Sequence, residues 1–86
     1  MTARHVKKTY EQMTVVLNSI DGLAAKYVMY VPPYIKLVIG KRHFHLSYDY
    51  KRNNFFIYEA FKIGELPPDE VANYFEEIDK VIQESE

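Results

Sequence analysis

The sequence predicts an α+β fold: a two-layer sandwich in α-β-β-β-α order, with a three-stranded antiparallel meander and both helices on one of its faces. Three observations predict it. Apolar residues recur at helical spacing near both ends of the chain. They alternate with polar residues through positions 34–50. Between these patterns lie short polar punctuation marks rather than a long linker. A helix that is apolar along one stripe needs a face against which to bury it, and a half-apolar sheet supplies that face.

The first helix carries Val6, Tyr10, Met13, Leu17 and Ile20 at steps of four, three, four and three, with Lys7, Lys8, Glu11 and Asn18 off the stripe and Val15 opposite it. Asp21-Gly22 offers a stop. Ala24 and Tyr27 would also continue the stripe through Gly22, at a local cost of about 1 kcal/mol. Residues 27–31 read equally as a helix end or a fourth strand, closed either way by Pro32-Pro33.

The first strand of the meander is Tyr34 to Ile39, where Ile35, Leu37 and Ile39 share a face. Gly40-Lys41 has the Gly-first pattern of a two-residue type II′ turn. The second strand is Arg42 to Tyr50, with Phe44, Leu46, Tyr48 and Tyr50 alternating against His43, His45, Ser47 and Asp49. Lys51-Arg52-Asn53-Asn54 makes a polar turn, and the third strand is Phe55 to Lys62. The last helix follows Pro67-Pro68, which suit its first turn, and opens with Asp69 and Glu70, which complement its dipole. Val71, Tyr74, Phe75, Ile78, Val81 and Ile82 form its stripe, and Glu76–Lys80 is a favourably ordered i,i+4 pair.

Turn length sets register. The first hairpin then pairs Leu37 with Phe44 and Ile35 with Leu46, and the second pairs Tyr48 with Ile57, Leu46 with Glu59 and Phe44 with Phe61. The helix-facing side is apolar except for Glu59, which falls at a gap between helices or at a bulge in the third strand. The opposite side has no element left to cover it. It carries Tyr34, Lys36, Val38, His43, His45, Phe56, Tyr58 and Lys62, the candidate binding residues, beside Ser47, Asp49 and Ala60. Aromatic anchors ringed by Lys and His fit a modest protein interface.

Composition sets limits on function. The 86 residues make one small domain, 1–86, with 48% apolar residues and a net charge of −1, which argues against disorder. With no Cys, a disulfide scaffold and a Cys-based zinc site are excluded. No targeting signal and no stretch of bilayer-spanning length is read, so a cytoplasmic location without membrane contact is expected. Charge is separated along the chain: residues 26–62 carry seven Lys and Arg against two acids, while residues 63–86 carry eight acids against Lys80.

These features lead to three functional readings. The expected one is a non-enzymatic protein-binding domain, regulatory, inhibitory or accessory in role, acting through the open face or the first strand edge, with a homodimer as one form. The alternative is nucleic-acid binding by the basic aromatic face. The element order matches that of a double-stranded-RNA-binding domain, but Pro67, Pro68, Asp69 and Glu70 stand where such domains place phosphate-binding cations. The third reading is a catalytic or metal site. His43 and His45 lie on one strand face, yet Asp49 is roughly 13 Å further along and Glu59 is on the other side, so no metal and no cofactor is expected. Ser19 and Ser47 lack a nucleophile motif, and Gly22, Gly40 and Gly64 form no phosphate loop.

Overall fold

A computed structural model describes residues 3–62 and 68–85, with side chains described for residues 5–60 and 72–85. Two helices, α1 (Ala3–Leu17) and α2 (Pro68–Ser85), accompany four strands: β1 (Leu23–Val28), β2 (Tyr34–Ile39), β3 (Arg42–Asp49) and β4 (Asn54–Lys62). The strands form one antiparallel sheet in the order β1-β2-β3-β4. The three-stranded meander predicted from the sequence is therefore one strand short.

The missing strand is β1. Its apolar positions Leu23, Ala25 and Tyr27 alternate, but Ala24 and Tyr27 also extend the α1 stripe, so the two periods overlap there. The helix has already ended at Leu17, and Gly22, with φ +82° in a left-handed conformation that a continuing helix cannot use, turns the chain into β1. A Cβ on Gly22 would also collide with the Tyr74 hydroxyl. Asn18 then fixes the new direction. Its side-chain amide accepts from Ala25 N–H and donates to Ala25 C=O, both at 2.8 Å. Leu23 N–H donates to the Ile20 carbonyl at 3.2 Å. The strand is thus tied back to the loop that precedes it, and residues 27–31 divide between β1 and a loop.

The first hairpin follows the predicted register, with Leu37 opposite Phe44 and Ile35 opposite Leu46. Gly40 has φ +62°, as the first central position of a type II′ turn requires. The second hairpin closes one residue earlier on both strands, at Asp49 and Asn54, so Tyr48 faces Phe55 and Leu46 faces Ile57. Asp49 causes the shift. Its carboxylate accepts the N–H groups of Lys51 and Arg52 at 2.9 and 3.3 Å, while Asn53 takes the left-handed φ of +55°. Because the register moves by two, the side chains of β4 from Phe55 to Glu59 keep their predicted faces. Tyr50 does not: it lies in the turn and is exposed rather than core-facing.

Phe44 pairs with Glu59, not Phe61 as predicted. A bulge between His43 and Phe44 then sets Phe61 opposite His43 and Lys62 opposite Arg42 in the backbone register. The side chains of Phe61 and Lys62 lie outside the described residues, as do the predicted roles of Pro67, Asp69, Glu70 and Val71. Glu59 is resolved by Arg42, which donates two parallel hydrogen bonds to it, Nε to Oε2 and Nη2 to Oε1, both at 2.8 Å. The Arg42 guanidinium lies 5.4 Å over the Phe44 ring.

Both helices contribute to one core. Val6, Tyr10, Met13 and Leu17 from α1 and Ile78 and Val81 from α2 cluster with Ile35, Leu37, Ile39, Phe44, Leu46 and Tyr48 of the sheet. Val15, opposite the stripe, is exposed. At the far end of β3, Tyr10 is buried against Tyr27 and Phe55, and its hydroxyl accepts the Tyr48 N–H at 2.6 Å. Tyr48 lies beyond the last β2–β3 pair, so the helix supplies an acceptor where β2 has ended. Burial pushes the Tyr10 hydroxyl pKa up to about 12.

Candidate functional site

With both helices on one side, alternation sends Lys26 and Val28 (β1), Tyr34, Lys36 and Val38 (β2), His43, His45, Ser47 and Asp49 (β3), and Phe56 and Tyr58 (β4) to the open face. The described sequence-predicted site residues are all gathered there; only the side chain of Lys62 is not described. Register arranges them in rows. One row crosses all four strands as Lys26, Lys36, His45 and Tyr58. At the usual strand spacing it is about 14 Å wide. A neighbouring row runs Ala24, Val38, His43, and on the other side lie the pairs Val28–Tyr34 and Ser47–Phe56.

The rings on this face touch in sequence. Tyr34 stacks on His45 at 4.2 Å, the His45 ring meets Tyr58 edge-on at 5.3 Å, and Tyr58 lies beside Phe56 at 5.9 Å. His45 Nδ1 and the Tyr58 hydroxyl are 3.1 Å apart. The result is a preorganised aromatic strip whose outer members, Phe56 and Tyr58, are 43% and 49% exposed. Burial, then Lys36 and then His43, hold the His45 pKa below the usual histidine value. The imidazole is therefore neutral at pH 7, and as a neutral ring it can accept the Tyr58 proton at Nδ1.

The charge on this face is one-sided. Lys26 and Lys36 stand directly opposite each other, and neither has a carboxylate within ion-pair distance among the described residues. The acid on the face, Asp49, is engaged by its own turn and lies 3.9 Å from Arg52. Glu76, Glu77, Asp79 and Glu84 are exposed on α2, behind the sheet.

One predicted feature does not survive in the fold. The first meander strand has no free edge, because β1 covers it. The outer edge of β1 is itself partly closed by Asn18 and Ile20. His43 and His45 do share a face, and among the described residues no group of three His, Asp or Glu side chains is placed to hold a metal ion. The sequence reading missed Lys26, hidden with β1. It also missed Met29, Tyr30 and Val31, which are 71%, 70% and 99% exposed in the β1–β2 loop. Their signal was an apolar run placed immediately before two prolines. Tyr30 lies 6.4 Å from Tyr34 and so extends the strip toward that loop. A separate open cleft of about 400 Å³, lined by Ile20, Asp21, Asn73, Tyr74 and Glu77, lies on the helix side.

No helix among the described residues is long and apolar enough to cross a membrane. No protein family, curated protein or solved structure matches this chain.

Proposed function

We propose that this chain is a small non-enzymatic domain that binds another protein through the open face of its sheet, as a regulatory, inhibitory or accessory component in the cytoplasm. A second copy of the chain is one partner the proposal admits. The observation that carries this reading is the aromatic strip from Tyr34 through His45 to Tyr58 and Phe56, held in contact and left partly exposed on a face that no element covers among the described residues. Covering the exposed parts of Phe56 and Tyr58 would contribute about 4 kcal/mol at the usual coefficient for apolar area. That is enough for two rings to act as anchors within a larger contact.

The test is capture and sedimentation with wild type and with a Phe56→Ser, Tyr58→Ser double variant. The reading expects an association that the double variant loses while its circular dichroism and melting stay close to wild type. An association that survives the double change places the contact elsewhere.

Single-stranded nucleic acid is the second reading. In its favour, Lys26 and Lys36 flank exposed rings, and the α2 acids lie behind the sheet rather than beside it. It is the weaker reading because bases need free ring faces. Here Tyr34 and His45 stack on each other, and Tyr58 has Phe56 lying roughly parallel alongside it. Oligonucleotide binding that weakens steeply with salt would favour it.

A further inference from the structure

Resting on that reading, we infer that the partner is an acidic protein segment whose carboxylates seat on the Lys26–Lys36–His45–Tyr58 row, beside an apolar residue that covers Phe56 and Tyr58. Directly opposed like charges weaken a sheet, so Lys26 facing Lys36 is a local liability in the free protein. An anion on the row removes it. The row offers donors along its length: two ammonium groups and the Nε2–H that His45 carries while its Nδ1 accepts the Tyr58 hydroxyl proton. Next to it, the half-exposed Phe56 and Tyr58 rings supply the apolar contact that a purely electrostatic site lacks.

Charge also decides between occupants. A symmetric face-to-face pair of this chain would set one lysine-bearing face against another, with the Asp49 carboxylate of each already engaged by its own turn. A contact between this face and the acidic α2 of another copy joins opposite sides of the molecule, a head-to-tail arrangement that does not close into a dimer. An acidic segment of a different protein carries neither penalty.

The test uses the full chain, isotope-labelled, and a peptide alternating Glu-Glu with Leu, titrated at low ionic strength. Controls are the same peptide with Gln for Glu and an oligothymidylate of similar length. The inference expects backbone amide shifts centred on positions 26, 36, 45 and 58. It also expects binding about tenfold weaker for the Gln peptide, and about tenfold weaker for Lys36→Glu with the Glu peptide. Lys26→Gln, on an exposed side chain, is the second variant should Lys36→Glu fold poorly. Equal binding of the Gln peptide, or shifts centred on Lys7, Lys8, Lys51 or Arg52, overturns the assignment. Tighter binding of the oligothymidylate overturns it in favour of nucleic acid. No shift with any probe overturns the acidic-partner assignment alone, since the Phe56→Ser, Tyr58→Ser comparison judges the protein-binding reading without reference to charge.

Discussion

Replacing Tyr10 by Phe tests how α1 is fastened to the sheet. The Tyr10 ring is 1% exposed and contacts Tyr27 at 5.6 Å and Phe55 at 6.0 Å, contacts that Phe keeps. What Phe lacks is the oxygen that accepts the Tyr48 N–H at 2.6 Å. Leaving that buried amide without its acceptor costs about 1–3 kcal/mol. A domain of this size has a total stability of roughly 4–13 kcal/mol. A loss of about 2 kcal/mol would lower the melting temperature by roughly 8–16 °C. The pH dependence is a second signature. The Tyr10 pKa is raised from 10.0 to about 12 in the fold, so above pH 10 the unfolded chain gives up the proton first and stability falls as pH rises. The contribution is fully present below pH 10 and declines by about 2 kcal/mol by pH 12. Urea unfolding followed by circular dichroism should therefore show Tyr10→Phe less stable at pH 7, with the gap to wild type closing between pH 10 and 12. Equal urea midpoints at pH 7 together with parallel pH profiles would refute this role for Tyr10.

Three further outcomes are expected. Gly22→Ala should destabilise by about 1–2 kcal/mol, from its positive φ and from contact with the Tyr74 hydroxyl, and Tyr74→Phe should recover part of the loss in a double-mutant cycle. Additive single effects would remove the hydroxyl contact from the explanation. Glu59→Gln should cost about 1–2 kcal/mol by weakening the paired hydrogen bonds from Arg42, discounted for the 27% exposure of the glutamate side chain, with chemical denaturation as the check. Because the His45 pKa is lowered in the fold, the unfolded chain takes up the proton first below about pH 6.5, so stability should decline as pH falls through that range. His45→Gln should flatten that decline, and an unchanged profile would count against it.

Much of the fold was legible because alternation and turn chemistry agreed. Ile35 through Tyr48 reads cleanly with period two, and Gly40 can take the positive φ that the first hairpin needs. What stayed hidden depended on contacts distant in sequence or on side chains that bond to backbone. β1 was masked because Ala24 and Tyr27 satisfy a helical stripe as well as a strand. Only the Asn18 amide on Ala25 and the conformation of Gly22 decide between them. The second hairpin slipped because the Asp49 carboxylate holds the turn one residue earlier than a count of polar residues suggests. Glu59 looked out of place because its partner Arg42 becomes visible only once the slipped register of the second hairpin sets Glu59 opposite Phe44 rather than Leu46. The open face was read nearly whole, since it follows from the strand period and survives a two-residue register shift. What went unread is the β1 margin, Ala24, Lys26 and Val28, with Tyr30 beyond it, and with Lys26 the opposed lysines on which the acidic-partner inference turns.

The claim that the open sheet face is the working surface is tested most directly by site-specific photocrosslinking. A benzoyl-phenylalanine photocrosslinker replaces Tyr58 on the open face in one protein and Glu77 on α2 in another, both exposed positions on opposite sides of the molecule. The account predicts a discrete crosslinked protein adduct from position 58 and none from position 77. An adduct from position 77 with none from position 58 would contradict it.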